Sequence, residues 1–281
     1  MGLEKNGAAL LLKMQSDGVK FGRMLTLGHQ NIFLELGEYA RAFKRVGLVP
    51  PRAVPEFADD FFSAVGASRV EAMDFSAFEG AAFVHDLNQP VPVDWHRQFD
   101  VVFDGGTLEH IFNFPTAIKS CMQMIKPQGH FVSVTMPNNW CGHGFYQFSP
   151  ELFYRVLTPA NGFSILEMYI AEMNGKAYLV KDPELVKSRV ELCNRRQVLL
   201  LVHARRDRCC EIFANPPQQS DYVATWAEPR PRSYSHWFSK WKHYPVFRQL
   251  RKVRRMLADH RSLKVRSLRN PRFYVPVDLS I

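Results

Sequence analysis

Between residues 23 and 205 the chain runs in two rhythms. Short, nearly continuous apolar runs read as strands at Arg23–Gly28, Arg69–Asp74, Ala81–His85, Phe99–Phe103, His130–Met136, Phe163–Ile170 and Gln197–His203. Between them, apolar residues recur at helical spacing. Leu36, Tyr39, Ala40 and Phe43 share one side of a helix predicted over Leu34–Arg45, which Gly47 and the Pro50-Pro51 pair stop. Further helices are predicted at Glu56–Val65, Pro115–Ile125, Pro150–Leu157 and Pro183–Cys193. Strands that are apolar throughout are buried on both faces, as in a mostly parallel sheet with helices on both faces. The pattern predicts one α/β domain over residues 1–212. A Pro-rich polar linker at 213–234 and a tail at 235–281 follow.

In an open parallel sheet, ligands bind beyond the carboxyl ends of the strands, near the point where strand order reverses. The residues at those ends are Gly28, Asp74, Asp86, Asp104 and Pro137. Three of them are carboxylates. An ionised carboxylate accepts hydrogen bonds from two vicinal hydroxyls at once, so Asp74 is placed to grip a ribose. Asp86 is placed to accept from an exocyclic amine, with Leu87 packing on the ring. Asp is also a common cap and turn residue, and that plainer role is open to both.

The stretch FDVVFDGGTLEHIFNFPTAIKSCMQMIKPQGHFVSVTMP (Phe99–Pro137) resembles the fourth-strand to fifth-strand region of class I S-adenosylmethionine-dependent methyltransferases. The resemblance is carried by an apolar strand ending in Asp104, the triplet Leu108-Glu109-His110, and the turn Lys126-Pro127-Gln128-Gly129 before a second apolar strand. It extends over roughly Arg23 to Arg205. It implies a Rossmann-like, seven-stranded, mostly parallel sheet whose last strand, Gln197–His203, is antiparallel. It implies S-adenosylmethionine as cofactor. It assigns Asp74 to the ribose, Asp86 to the adenine, and Asp104, Gly105, Gly106 and Thr107 to the loop beside the methionine portion. Leu108 would close over the cofactor.

The first strand departs from that family's pattern. An acidic residue followed by Gly-x-Gly-x-Gly is usual there, because glycines let backbone approach the cofactor. Here the segment is Thr26-Leu27-Gly28-His29-Gln30-Asn31-Ile32, and of the glycines only Gly28 remains. Either the loop is remodelled, with His29 at the cofactor and Glu35 a stand-in for the missing acid, or binding has decayed. Decay would leave a non-catalytic scaffold or partner-binding protein. A nicotinamide-dependent enzyme is disfavoured, since no G-x-G-x-x-G follows the first strand.

The segment PNNWCGHGFYQFSPELFYRV (Pro137–Val156) follows the fifth strand and so should lie beside the methyl group. His143 stands between two glycines, with Trp140, Phe145, Tyr146 and Gln147 around it. These four are candidate substrate residues. His143 is the first candidate general base and His110 the second, since an oxygen acceptor benefits from a base near neutral pKa. The expected activity is methyl transfer to a small-molecule or saccharide acceptor.

Charge alters the picture only at the C-terminus. The net charge is +9, yet residues 230–281 hold fourteen Lys and Arg against two Asp, so the body is slightly acidic. Between Ser235 and Leu257, aromatics alternate with cations at near-helical spacing. That suits docking on a protein surface or an interfacial helix on an anionic membrane. Nucleic acid is disfavoured, for no recognisable module is present. The five cysteines fit neither a disulfide framework nor a zinc site, and no metal is predicted. No apolar run reaches the roughly 20 residues of a membrane span, so the expected location is the cytoplasm, with peripheral membrane contact through the tail.

Overall fold

The structure is a computed structural model that describes residues 2–227 and 263–280. Its strands are β1 (Gly2–Leu3), β2 (Gly22–Leu27), β3 (Asn31–Ile32), β4 (Ala67–Asp74), β5 (Phe83–Val84), β6 (Phe99–Asp104), β7 (Ile125–Asn138), β8 (Phe163–Glu172), β9 (Ala177–Val180), β10 (Val198–Arg206) and β11 (Tyr274–Val277). Its helices are α1 (Lys5–Ser16), α2 (Leu36–Arg45), α3 (Asp59–Ala64), α4 (Phe114–Met124), α5 (Pro150–Val156), α6 (Pro183–Val186) and α7 (Ser220–Ala227).

Nine strands form one sheet in the order β11-β9-β8-β10-β7-β6-β2-β4-β5. β5, β4, β2, β6 and β7 are parallel neighbours, and β10 is antiparallel to both β7 and β8. This is the expected Rossmann-like α/β class, with the Gln197–His203 segment as its antiparallel strand. Two antiparallel strands, β9 and β11, extend the sheet beyond the expected seven.

The doubly apolar strands divide their side chains between two cores. On β6, Phe99 and Val102 join Ile118 and Cys121 of α4 and Phe153 of α5. Val101 and Phe103 join Leu10 and Leu11 of α1, Tyr39 of α2 and Phe61 of α3. Arg206, itself buried, closes the end of α4 by donating to the carbonyls of Met122, Gln123 and Ile125. A cation among the unpaired carbonyls of a helix end satisfies them and opposes the helix dipole.

Several elements differ from the sequence reading. Helix α1 has no counterpart in it: Ala8 to Leu12 are all buried, so the helix is apolar all round and shows no one-sided stripe. The helix expected at Glu56–Val65 begins only at Asp59, and the strand expected at Ala81–His85 shrinks to two residues. The helix expected at Pro183–Cys193 ends after one turn, because Lys187 takes a left-handed conformation (φ 50°). The residues after it pack instead on the C-terminal segment: Cys193 N donates to Arg266 O, and Tyr274 Oη to Glu191 O.

That C-terminal segment was expected as part of a separate tail. Tyr274 to Val277 nevertheless pair with β9, and Leu268, Phe273, Tyr274 and Leu279 are buried. The expected linker contains α7. The aromatic and cationic alternation of Ser235–Leu257 lies outside the described residues. Among the described residues, no helix is long and apolar enough to cross a membrane, and all five cysteines are free.

Candidate functional site

Strand order reverses between β2 and β6. From β2 the chain steps outward to β4 and β5, then returns to β6 on the other side. The crevice at the carboxyl ends of this pair is where an open α/β sheet takes its ligand. Leu27 and Asp104 end the two strands in register, and Gly28 (φ 75°) and Gly106 (φ 91°) turn the chain away in left-handed conformations. A cleft lined by His96, Arg97 and Arg206 lies at the opposite edge, beside the start of β6 and away from this crevice.

The crevice is built differently from the expectation. Gln30, placed where a glycine is usual, is buried and donates to Leu27 O at 2.6 Å and Gly28 O at 3.2 Å. It lies so close to Gly105 that a Cβ there would meet its Oε1. Gly105 therefore admits Gln30, and Gln30 Oε1 has no hydrogen-bond partner. Gly2 N donates to Gly105 O at 3.1 Å, so β1 runs along the same loop.

Asp104 is a correction to the cofactor assignment. Its carboxylate is fully buried and accepts from Thr107 N at 2.9 Å, Leu108 N at 3.2 Å and Ser133 Oγ at 2.7 Å. It staples its own loop, and burial pushes its pKa up. Leu108 and Leu87 are core residues rather than a cover for a ligand. Thr107 Oγ1 donates to Leu27 O at 2.6 Å, tying the β6 loop to β2. His29 is held at both ring nitrogens, by Asp59 Oδ2 and Glu79 O, each at 2.8 Å, and stacks on Phe57 at 3.7 Å. Burial opposes its charge, but Asp59 and the Glu79 carbonyl prevail and raise its pKa. It pins loops together and is not free to touch a cofactor.

Asp74 and Asp86, the two carboxylates expected at a nucleoside, stand otherwise. Asp74, half-buried at the tip of β4, receives one long bond from Ser76 N at 3.4 Å. Asp86 accepts from Asn88 N at 2.9 Å and Asn88 Nδ2 at 2.8 Å through Oδ1, and these bonds lower its pKa. Asp86 thus has the turn role that its residue type allows.

Beside the crevice, the loop after β6 meets the loop after β7. Glu109 is completely buried; its Oε2 accepts from Thr135 Oγ1 at 3.1 Å and its Oε1 has no hydrogen-bond partner. Burial, and then the charge of Asp104, push its pKa up to about 8. His143 Nε2 lies 3.9 Å from Oε1, and the His110 and His143 rings are 4.9 Å apart. Burial and then His143 lower the pKa of His110. The structure therefore brings both candidate histidines together on a carboxylate that the sequence reading passed over. Glu109 was present in the quoted triplet, but nothing in the sequence shows that its side chain turns inward.

Of the four candidate substrate residues, three hold the loop. Trp140 Nε1 donates to Val198 O at 2.8 Å, Gln147 Oε1 accepts from Trp140 N at 3.0 Å, and Tyr146 Oη donates to Phe112 O at 2.6 Å. Phe145 makes no such bond and is largely exposed, edge-on to Phe112 at 5.8 Å. The loop also rests on Gly144. At φ 70°, an added Cβ would lie 2.8 Å from Glu109 O, which accepts from Phe145 N and Tyr146 N. Gly144→Ala is expected to cost about 1–3 kcal/mol. The measurement is thermal unfolding together with hydrogen exchange at the Phe145 and Tyr146 amides, which should quicken. Unchanged protection at both would contradict this packing.

No family model matches the sequence, and no curated protein matches it. Among solved structures, the chain is similar to the 1,6-didemethyltoxoflavin-N1-methyltransferase of Burkholderia thailandensis, determined with S-adenosylhomocysteine. Identity is 15%, 72% of this chain and 77% of that one are covered, and the TM-score is 0.40. It is also similar to the N-methyltransferase NodS of Bradyrhizobium japonicum WM9, at 13% identity, covering 72% and 94%, with a TM-score of 0.40. The order and sense of its own strands make this chain a Rossmann-like α/β protein with an antiparallel strand inserted beside the fifth parallel one.

Proposed function

We propose that this chain is an S-adenosylmethionine-dependent methyltransferase acting on a small-molecule or saccharide acceptor. One observation carries the reading: Gln30 Oε1, buried at the switch point with no partner. A buried acceptor left unmade costs about 1–3 kcal/mol, so such an atom calls for a donor from a ligand. The ammonium of a methionine portion is such a donor. The remodelled loop would then offer the cofactor one side-chain acceptor.

The remaining residues fit the rest of the cofactor. Asp74 has carboxylate oxygens to spare for the two ribose hydroxyls, and Asp86, its Oδ1 engaged in the Asn88 turn, would border the base with Oδ2. Once bound, the sulfonium supplies a methyl group for in-line displacement, which mainly requires alignment with the acceptor. His143 and His110 come from the loops after β7 and β6, beside the crevice, with the exposed Phe145 and Phe112 at its rim.

Isothermal titration with S-adenosylhomocysteine tests the proposal. Binding is expected in the micromolar range, and Asp74→Ala should weaken it by about ten- to a hundredfold, the effect of losing charge-assisted bonds to two hydroxyls. An absence of heat at millimolar ligand would reject the reading. Unaltered affinity in Asp74→Ala would reject the ribose assignment.

A further inference from the structure

The cluster beside the crevice has a chemistry of its own. Glu109, His110 and His143 each offer one ligand atom, and these three atoms lie within 4.8 Å of one another. A carboxylate oxygen that is buried and has no hydrogen-bond partner is costly unless something positive meets it. Glu109 Oε1 is such an atom, and it is turned toward His143 Nε2, 3.9 Å away. The other Glu109 oxygen is fixed by Thr135 on β7, so the carboxylate is already oriented. His110 is exposed and the His143 side chain is about 40% so, which leaves room for side-chain torsions to move both rings.

We infer that Glu109, His110 and His143 form a binding site for one divalent transition-metal cation, with coordination positions left open toward the acceptor crevice. Two imidazoles and one carboxylate suit ions such as Mn²⁺, Fe²⁺, Co²⁺ or Zn²⁺ better than Mg²⁺ or Ca²⁺, which prefer oxygen alone. Bonds of roughly 2.1 Å place ligand atoms about 3–3.5 Å apart, so the widest separation in the cluster needs to contract by about 1.5 Å. The exposed imidazoles can supply that movement. Three protein ligands are the number typical of sites that keep a place for water or substrate.

The open position decides what the site would take. Resting on the methyltransferase reading above, the cation selects an acceptor that offers an oxygen ligand, a hydroxyl or a vicinal pair of them. Coordination lowers the pKa of a hydroxyl. The oxygen loses its proton to solvent and forms the new C–O bond. The methyl carbon's bond to sulfur breaks, and its electron pair stays on sulfur as the neutral thioether. No oxidant or reductant is needed. The expectation that the chain holds no metal is thereby replaced by a specific alternative.

The test is titration of the full chain, first stripped by chelator, with MnCl2 and separately with ZnCl2 near neutral pH. One binding event per chain is expected, with a rise in melting temperature. His110→Ala and His143→Ala should each weaken it by about tenfold or more, and their double variant should abolish it. Both histidines are on the surface, so these variants keep the fold even where Glu109→Gln disturbs it. Absence of binding at millimolar metal overturns the site. So does binding that the double variant leaves unchanged, which would place the metal elsewhere. Titration of the metal-free chain with S-adenosylhomocysteine separates the two claims. Cofactor binding without metal binding retains the methyltransferase and discards the cation, and metal binding without cofactor binding does the reverse.

Discussion

Asp104→Ala is expected to lose about 3–5 kcal/mol of stability, a large share of what a domain of this kind possesses. The substitution leaves the Thr107 and Leu108 amides and the Ser133 hydroxyl without their acceptor in a fully buried place. Each such orphan costs about 1–3 kcal/mol. Asp104→Asn should be far milder, about 1 kcal/mol, because its carbonyl oxygen can still accept from both amides and its amide can donate to Ser133 Oγ. The comparison, by urea unfolding of both variants, separates a staple from a ligand. A staple tolerates the isosteric amide. If Asn proved as damaging as Ala, the charge itself would be the important property, and the packing account given for this loop would be wrong.

Acid is expected to destabilise the protein through two histidines in the centre of the sheet. His130 on β7 and His203 on β10 are buried, and His130 Nδ1 lies 2.9 Å from His203 Nε2. One ring must donate and the other accept, so at least one is neutral across that bond. Burial, then Arg205, holds His130 down to about 4; burial, then His130, holds His203 down to about 3. Lys13 on α1 and Asp17 just after it are the other charges near His203. Both folded pKa values lie below the unfolded value near 6.5. The stabilisation is therefore complete above pH 6.5 and is lost as pH falls toward 4 and then 3, since the unfolded chain takes up protons that the folded chain refuses. The pair together is expected to remove several kcal/mol over that range. Urea midpoints measured at successive pH values should fall steeply below pH 6.5. A His130→Leu/His203→Leu double variant should flatten that slope, because it removes the groups that titrate while keeping similar volume. An equal slope in the double variant would assign the acid sensitivity to carboxylates instead.

The two predictions show where sequence reading reaches its limit. Asp104 was picked out correctly as the residue ending a central strand, yet its carboxylate turned inward, because Gly106, Thr107 and Leu108 curl back over it. The same uncertainty applied to His29, whose two partners, Asp59 at the start of α3 and Glu79 in a loop, lie thirty and fifty residues on. Glu109 stood in plain view within the triplet that carried the family resemblance. Only the approach of Gly144 on its carbonyl, and of Thr135 on its carboxylate, reveals a buried acid beside two histidines.

The sequence by itself determined the sheet: which segments are strands, that most run parallel, and which loops gather at the carboxyl edge. Those properties follow from local periodicity and from strands apolar on both faces, which a chain carries in any short window. The tertiary structure alone decided that α1 is a core helix, that β9 and β11 widen the sheet, that Gln30 fills the space of the missing glycines, and that Asp104, Trp140, Tyr146 and Gln147 serve their own loops. The reason is that a polar side chain finds its partner in space. Whether a carboxylate serves backbone, cation or ligand depends on which donors the remainder of the chain brings within about 3 Å of it.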